Sequence, residues 1–113
     1  MLYENVDFDG AIDAVRDSTL DMPHKHYLIE LIVCDKMGES PSQRQLSEYM
    51  SAGLSSIKAW QSELILMGIL GVKQGVGCKS HNRYFIDMSR LAEFSSKDRS
   101  DIAADNFAYT YPW

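Results

Sequence analysis

The chain is poor in the features that would place it in several large functional classes. It has two cysteines in 113 residues, Cys34 and Cys78. Cys34 lies in an apolar helical pattern and Cys78 in a Gly-rich stretch, so a disulfide framework is not expected and free thiols in a reducing compartment are. No apolar run approaches the ~18 residues that cross a bilayer; Leu64–Leu70 is interrupted by Gly68. The first ten residues, MLYENVDFDG, are acidic and lack the basic start and apolar stretch of a secretory signal, so a cytoplasmic location with no membrane contact is the expectation. A Gly-rich phosphate cradle and a nucleophile elbow are both missing. Cys78 and His81 share one loop without a third group to orient them, which leaves no catalytic residue to name. His24, His26, Cys34, Cys78 and His81 do not form the two close pairs that a structural zinc site uses. The expectation is therefore a non-enzymatic protein with no cofactor and no metal.

Positive charge is also scarce: eleven Lys and Arg stand against sixteen Asp and Glu, for a net charge of -5. Taken whole, that argues against a polyanionic partner, because phosphate contacts need cations. The distribution argues otherwise. Residues 1–23 hold six acids and one Arg, residues 24–90 hold eight basic residues and six acids, and residues 91–113 are again acidic by two charges. Between Leu54 and Arg90 the balance is five basic to two acidic.

What is present is a succession of helical periods followed by two β-rich segments. Ala11, Ile12, Val15 and Thr19 mark a short acidic helix over residues 9–20. Pro23 restarts the chain. Tyr27, Leu28, Leu31, Ile32 and Met37 then repeat at helical spacing up to Gly38, with Ile29 and Val33 making this helix apolar on more than one face and so central. Ser42 followed by Gln45 has capping-box spacing and opens a helix from Gln43 to Met50, with Leu46, Tyr49 and Met50 inward. After Ser51-Ala52-Gly53, a further helix from Leu54 to Met67 carries Leu54, Ile57, Trp60 or Gln61, Leu64 and Met67 inward. Ile69–Lys73 and Asn82–Asp87 read as strands joined by the polar loop from Gln74 to His81. Leu91–Phe94 reads as an extension of the hairpin's exit, and the chain ends on FAYTYPW. Three segments follow: an acidic N-terminal arm or helix (1–22), a helical domain with a hairpin (23–90) and a C-terminal tail with an aromatic end (91–113). The fold class is mainly α with a small β-hairpin.

Three helices, a tight turn between the second and third, and a closing hairpin form the winged helix-turn-helix plan. In order and spacing, residues 23–90 resemble the helix-turn-helix domains of phage and plasmid replication initiators and small phage regulators. Pro41-Ser42 opens the second helix of the pattern, Leu46-Ser47 stands where Leu-Ala is usual, and Ser56-Ile57 where Thr-Val is usual. Leu64 and Met67-Gly68-Ile69 follow at the family's steps, and Ser80-His81-Asn82-Arg83-Tyr84 resembles the end of the wing. Two departures stand out. Ser51 takes the turn position where Gly is usual, with Gly53 as helix cap, and Leu54-Ser55 replaces a basic pair at the start of the third helix.

The resemblance implies binding of double-stranded DNA, in transcriptional regulation or replication-origin recognition. The third helix would lie in the major groove and the wing on the backbone or minor groove. The residues then facing DNA are Ser55, Ser56, Lys58, Ala59, Gln61 and Ser62 on that helix. Ser42, Gln43 and Arg44 would stand at a phosphate-binding helix start, and Lys73, Lys79, His81 and Arg83 on the wing. A homodimer is compatible with a DNA site read twice. The competing expectation is a winged-helix module that binds protein, through the acidic arm as a DNA mimic or through Phe107, Tyr109, Tyr111 and Trp113 of the tail.

Overall fold

The computed structural model describes residues 2–73 and 83–95. Within them the chain is mainly helical with a two-stranded antiparallel hairpin. The elements are α1 (Phe8–Arg16), α2 (Met22–Lys36), α3 (Gln43–Met50), α4 (Leu54–Leu66), β1 (Leu70–Lys73), β2 (Arg83–Ile86) and α5 (Met88–Ala92).

Each boundary has a local cause. Asp7 caps α1, its Oδ1 accepting from the Gly10 amide at 2.7 Å. The helix stops at Arg16 rather than running on to Leu20. The Ser18 hydroxyl donates to the Val15 carbonyl at 2.6 Å, and Ser18 then bridges Ser95. It is thus Ser18 and not Thr19 that is buried. Pro23 sits in the first turn of α2, where its missing N–H costs nothing. Gly38 and Gly68, each at φ +79°, close α2 and α4 in a conformation that glycine adopts freely. The capping box of α3 is complete: Gln45 N–H donates to Ser42 Oγ at 3.2 Å, and Ser42 N–H to Gln45 Oε1 at 2.8 Å. Ser51 follows in the left-handed region (φ 52°, ψ 42°), and Gly53 caps α4.

The hairpin register pairs Leu70 with Ile86, Gly71 with Phe85, Val72 with Tyr84 and Lys73 with Arg83. Beyond it the expected strand exit gives way to α5, started by Asp87, whose side chain accepts from the Arg90 amide at 3.0 Å.

The core sits where α2 meets everything else. Tyr27, Leu28, Leu31 and Ile32 are fully buried against Leu46 of α3, Ile57 and Leu64 of α4, Ile69, Ile86 and Leu91. Residues 2–20 belong to the same core: Leu2, Tyr3, Ala11, Ile12, Val15 and Leu20 are all buried in it. The Ile86 amide donates to the Leu2 carbonyl at 2.8 Å, so the segment read as an arm is sewn to the hairpin. Three expected inward residues face outward instead, Leu54 in the first turn of α4 among them. Met37 lies past the end of α2, and Tyr49 is half-exposed with its hydroxyl donating to Glu39 Oε1 at 3.2 Å. Among the described residues no helix is long and apolar enough to cross a membrane.

Candidate nucleic-acid interface

The turn that orients α4 on α3 is held from inside. The Ser47 hydroxyl donates to the Ala52 carbonyl, and the Ala52 amide to the Ser47 carbonyl at 3.0 Å. Sequence reasoning did not assign Ser47 a role; its hydroxyl, where the resembling family has Ala, was the available signal. With this turn fixed, α4 buries Ile57, Gln61 and Leu64 and turns Leu54, Ser55, Lys58, Ala59 and Ser62 to solvent. Ser56 is half-buried beside them.

Gln61 is a correction. It is only 8% exposed, and its Oε1 accepts from the Tyr27 hydroxyl at 2.9 Å. It faces the core, where its amide satisfies a buried phenol, and is not free to reach a base edge.

At the start of α3, Arg44 is exposed and Gln43 half-buried. Ser42 is occupied by its own cap through both its amide and its hydroxyl. The amides left over at this helix start are those of Gln43 and Arg44. They make no hydrogen bond among the described residues, as first-turn amides generally do not.

The hairpin is carried to this helix start by Tyr84, whose hydroxyl donates to the Pro41 carbonyl at 2.7 Å. Arg83 and Tyr84 line a cleft of about 320 Å³ with Ser40, Pro41, Asp35 and Glu39. Lys73 and Arg83 are both exposed and stand directly opposite each other across the two strands. Like charges in that position weaken a hairpin. Lys79 and His81, with the rest of the loop 74–82, lie outside the described residues, as do Cys78 and the aromatic tail.

Of the basic residues elsewhere, Lys25, Lys36 and Arg90 are engaged at home, while Arg16 is exposed and its side chain has no such partner among the described residues. Lys25 Nζ donates to the Arg16 carbonyl at 3.0 Å, and Lys36 Nζ sits 4.7 Å from the centre of the Phe8 ring. Arg90 Nε donates to the Met67 carbonyl at 2.7 Å, with Glu93 Oε1 2.8 Å from its Nη1. Arg44, Lys58, Lys73 and Arg83 have no such partner among the described residues. Glu63 of α4 is engaged as well, its Oε1 lying 3.0 Å from Nε2 of the buried His24. Among the described residues no three His, Cys, Asp or Glu side chains converge as metal ligands would.

Comparison of the chain with protein-family models, curated proteins and solved structures finds no match.

Proposed function

We propose that the chain is a non-enzymatic winged-helix protein that binds double-stranded DNA sequence-specifically. Its role would be that of a phage- or plasmid-type transcriptional regulator, with replication-origin recognition as the related alternative. In this reading α2, α3 and α4 are the three-helix core, α3–turn–α4 is the helix-turn-helix, and β1–β2 is the base of the wing. The helix α4 lies in the major groove, with Ser55, Ser56 and Ser62 toward base edges and Lys58 toward phosphate or guanine. The amides of Gln43 and Arg44 meet a backbone phosphate at a helix N-terminus. Lys73 and Arg83 straddle the adjacent backbone. Two copies would read two half-sites.

The observation that carries this reading is the unpaired set Arg44, Lys58, Lys73 and Arg83. Around α3, α4 and the hairpin of a protein of net charge -5, these four exposed cations have no side-chain partner among the described residues, and two of them oppose each other across a ladder at a cost to stability. A polyanion supplies what is missing. The test is a gel-shift titration against genomic fragments at two salt concentrations. Four phosphate contacts give a slope of log K against log salt of about -3.6. Lys58→Ala and Arg83→Ala each weaken binding and flatten that slope by about one unit. No binding at low salt would remove the DNA reading and leave protein interaction as the function of the fold.

A further inference from the structure

The outermost ridge of α4 lacks the side chains that make paired contacts with bases. At ~100° per residue, Ser55, Ala59, Ser62 and Leu66 fall within an arc of about 60°, opposite the fully buried Ile57 and Leu64. All four are exposed, Leu66 the most at 86%. Lys58 and Glu63 stand on the two flanks, each about 70° from the middle of the ridge. Glu63 is turned to His24, with its Oε1 3.0 Å from the ring Nε2. Gln61, the one side-chain amide of the helix, is held in the core by Tyr27.

Guanine is read by paired hydrogen bonds from Arg or Lys, and adenine by paired bonds from Asn or Gln. The ridge holds none of the four. Its hydroxyls can bond to either kind of base pair and so discriminate little. What remains is apolar: the methyl of Ala59 and the branched end of Leu66. Seven residues separate them, about 10 Å along the axis, which matches about three base steps of a duplex. The C5-methyl of thymine is the apolar group that base pairs present in the major groove. A leucine left in water gains nothing, whereas one packed on that methyl buries surface on both sides.

Resting on the reading of α4 as the groove helix, we propose that Ala59 and Leu66 contact thymine methyl groups. The DNA bound is then an A·T-rich duplex, recognised by its methyls and not by paired hydrogen bonds. Ser55 and Ser62 supply single hydrogen bonds between the two apolar contacts, and Lys58 on the flank is left to phosphate.

The test starts from random duplexes of about 20 base pairs, two helical turns, from which the full chain selects its sites. A selected duplex is then remade with deoxyuridine in place of every thymidine. Uracil pairs as thymine does and lacks only the methyl. Selection is expected to enrich A·T pairs. The uracil duplex is expected to bind about fourfold more weakly for each methyl contacted, or about fifteenfold for two. Its salt dependence stays the same, because no phosphate contact is lost. Ala59→Ser and Leu66→Ser each weaken binding to the thymine duplex and narrow its advantage over the uracil one. Both positions are exposed, and circular dichroism checks that the fold is kept. Equal binding of the two duplexes, an advantage that both variants leave unchanged, or selected sites built on invariant guanines would each overturn the proposal while leaving DNA binding in place. A library from which nothing is retained at low salt removes the DNA reading itself, and this inference with it. A dimer formed without DNA and dissolved by Leu66→Ser also overturns it, since the ridge would then face a second copy.

Discussion

Tyr27 and Gln61 meet in the middle of the core, and that single contact decides what α4 can present outside. Helical spacing left Trp60 and Gln61 as alternatives for one inward position, because the two differ by only ~100° around the axis. A polar side chain was the less obvious occupant until its partner, a buried phenol 34 residues away, was in place. Tyr27→Phe leaves the Gln61 amide oxygen buried without its donor and costs about 1–3 kcal/mol in denaturant unfolding. Adding Gln61→Leu recovers most of that loss, because both polar partners are then gone. Burial, with a smaller contribution from Tyr84, holds the Tyr27 hydroxyl far above its usual range, and burial followed by Glu30 and Glu39 raises the Cys34 thiol from 9.0 to about 11. Both groups bind their proton more tightly in the folded chain than in the unfolded one. Their stabilisation is therefore complete below pH 9 and declines as pH rises through 9 to 11 for Cys34, and above 10 for Tyr27. Unfolding midpoints measured from pH 8 to 11 should fall accordingly, with a shallower fall in Cys34→Ala. Ser51 is strained in the opposite sense. A left-handed φ of 52° costs a side-chain-bearing residue roughly 1 kcal/mol. Ser51→Gly should raise stability by about that amount in thermal unfolding.

Elements with strong end signals were legible: the Ser42–Gln45 box, Pro23 in a first turn, and Gly38 and Gly68 as stops all fall where their chemistry places them. The helix α5 was not, because five residues complete too little of a 3.6-residue period to be told from a strand's exit. The second apolar face of α2 was visible, but a pattern of apolar residues does not say how many faces the rest of the chain will cover. The hairpin allows stability and function to be separated. Replacing Arg83 by Glu turns the Lys73–Arg83 opposition into an attractive pair, worth about 0.2–1 kcal/mol to the ladder. Arg83→Glu is expected to unfold at slightly higher denaturant than wild type while binding DNA more weakly. A variant that lost stability together with binding would show that Arg83 is structural, and the wing would drop out of the interface.

For the molecule as a whole, charge and hydrophobicity gave conflicting accounts of residues 1–22. The charge pattern marked them as an appendage, since six acids against one Arg in the first 23 residues resemble a solvated arm. The spacing of Ala11, Ile12 and Val15 marked a buried helical face, and burial is what the structure shows for those three and for Leu2, Tyr3 and Leu20. Both patterns are real because they occupy opposite sides of one helix: the acids face solvent while the apolar side closes the core against α2. The consequence can be measured. Each large apolar side chain that is fully buried contributes ~1.5–3 kcal/mol, and small domains hold only ~5–15 kcal/mol in total. Removing residues 1–20 deletes six core side chains and the Leu2–Ile86 backbone bond. That loss is as large as the stability itself, so the truncated chain should show no cooperative transition by circular dichroism and no slowly exchanging amides. A detachable acidic arm would behave in the reverse way. Its removal would leave a cooperative fold freed of five negative charges, and DNA would bind it more tightly than the full chain. A sharp unfolding transition in the fragment 21–113 would therefore return the segment to the status of an arm and make it a candidate regulator of the proposed DNA face. Its absence would establish that the acidic helix is part of the same folding unit that presents α4.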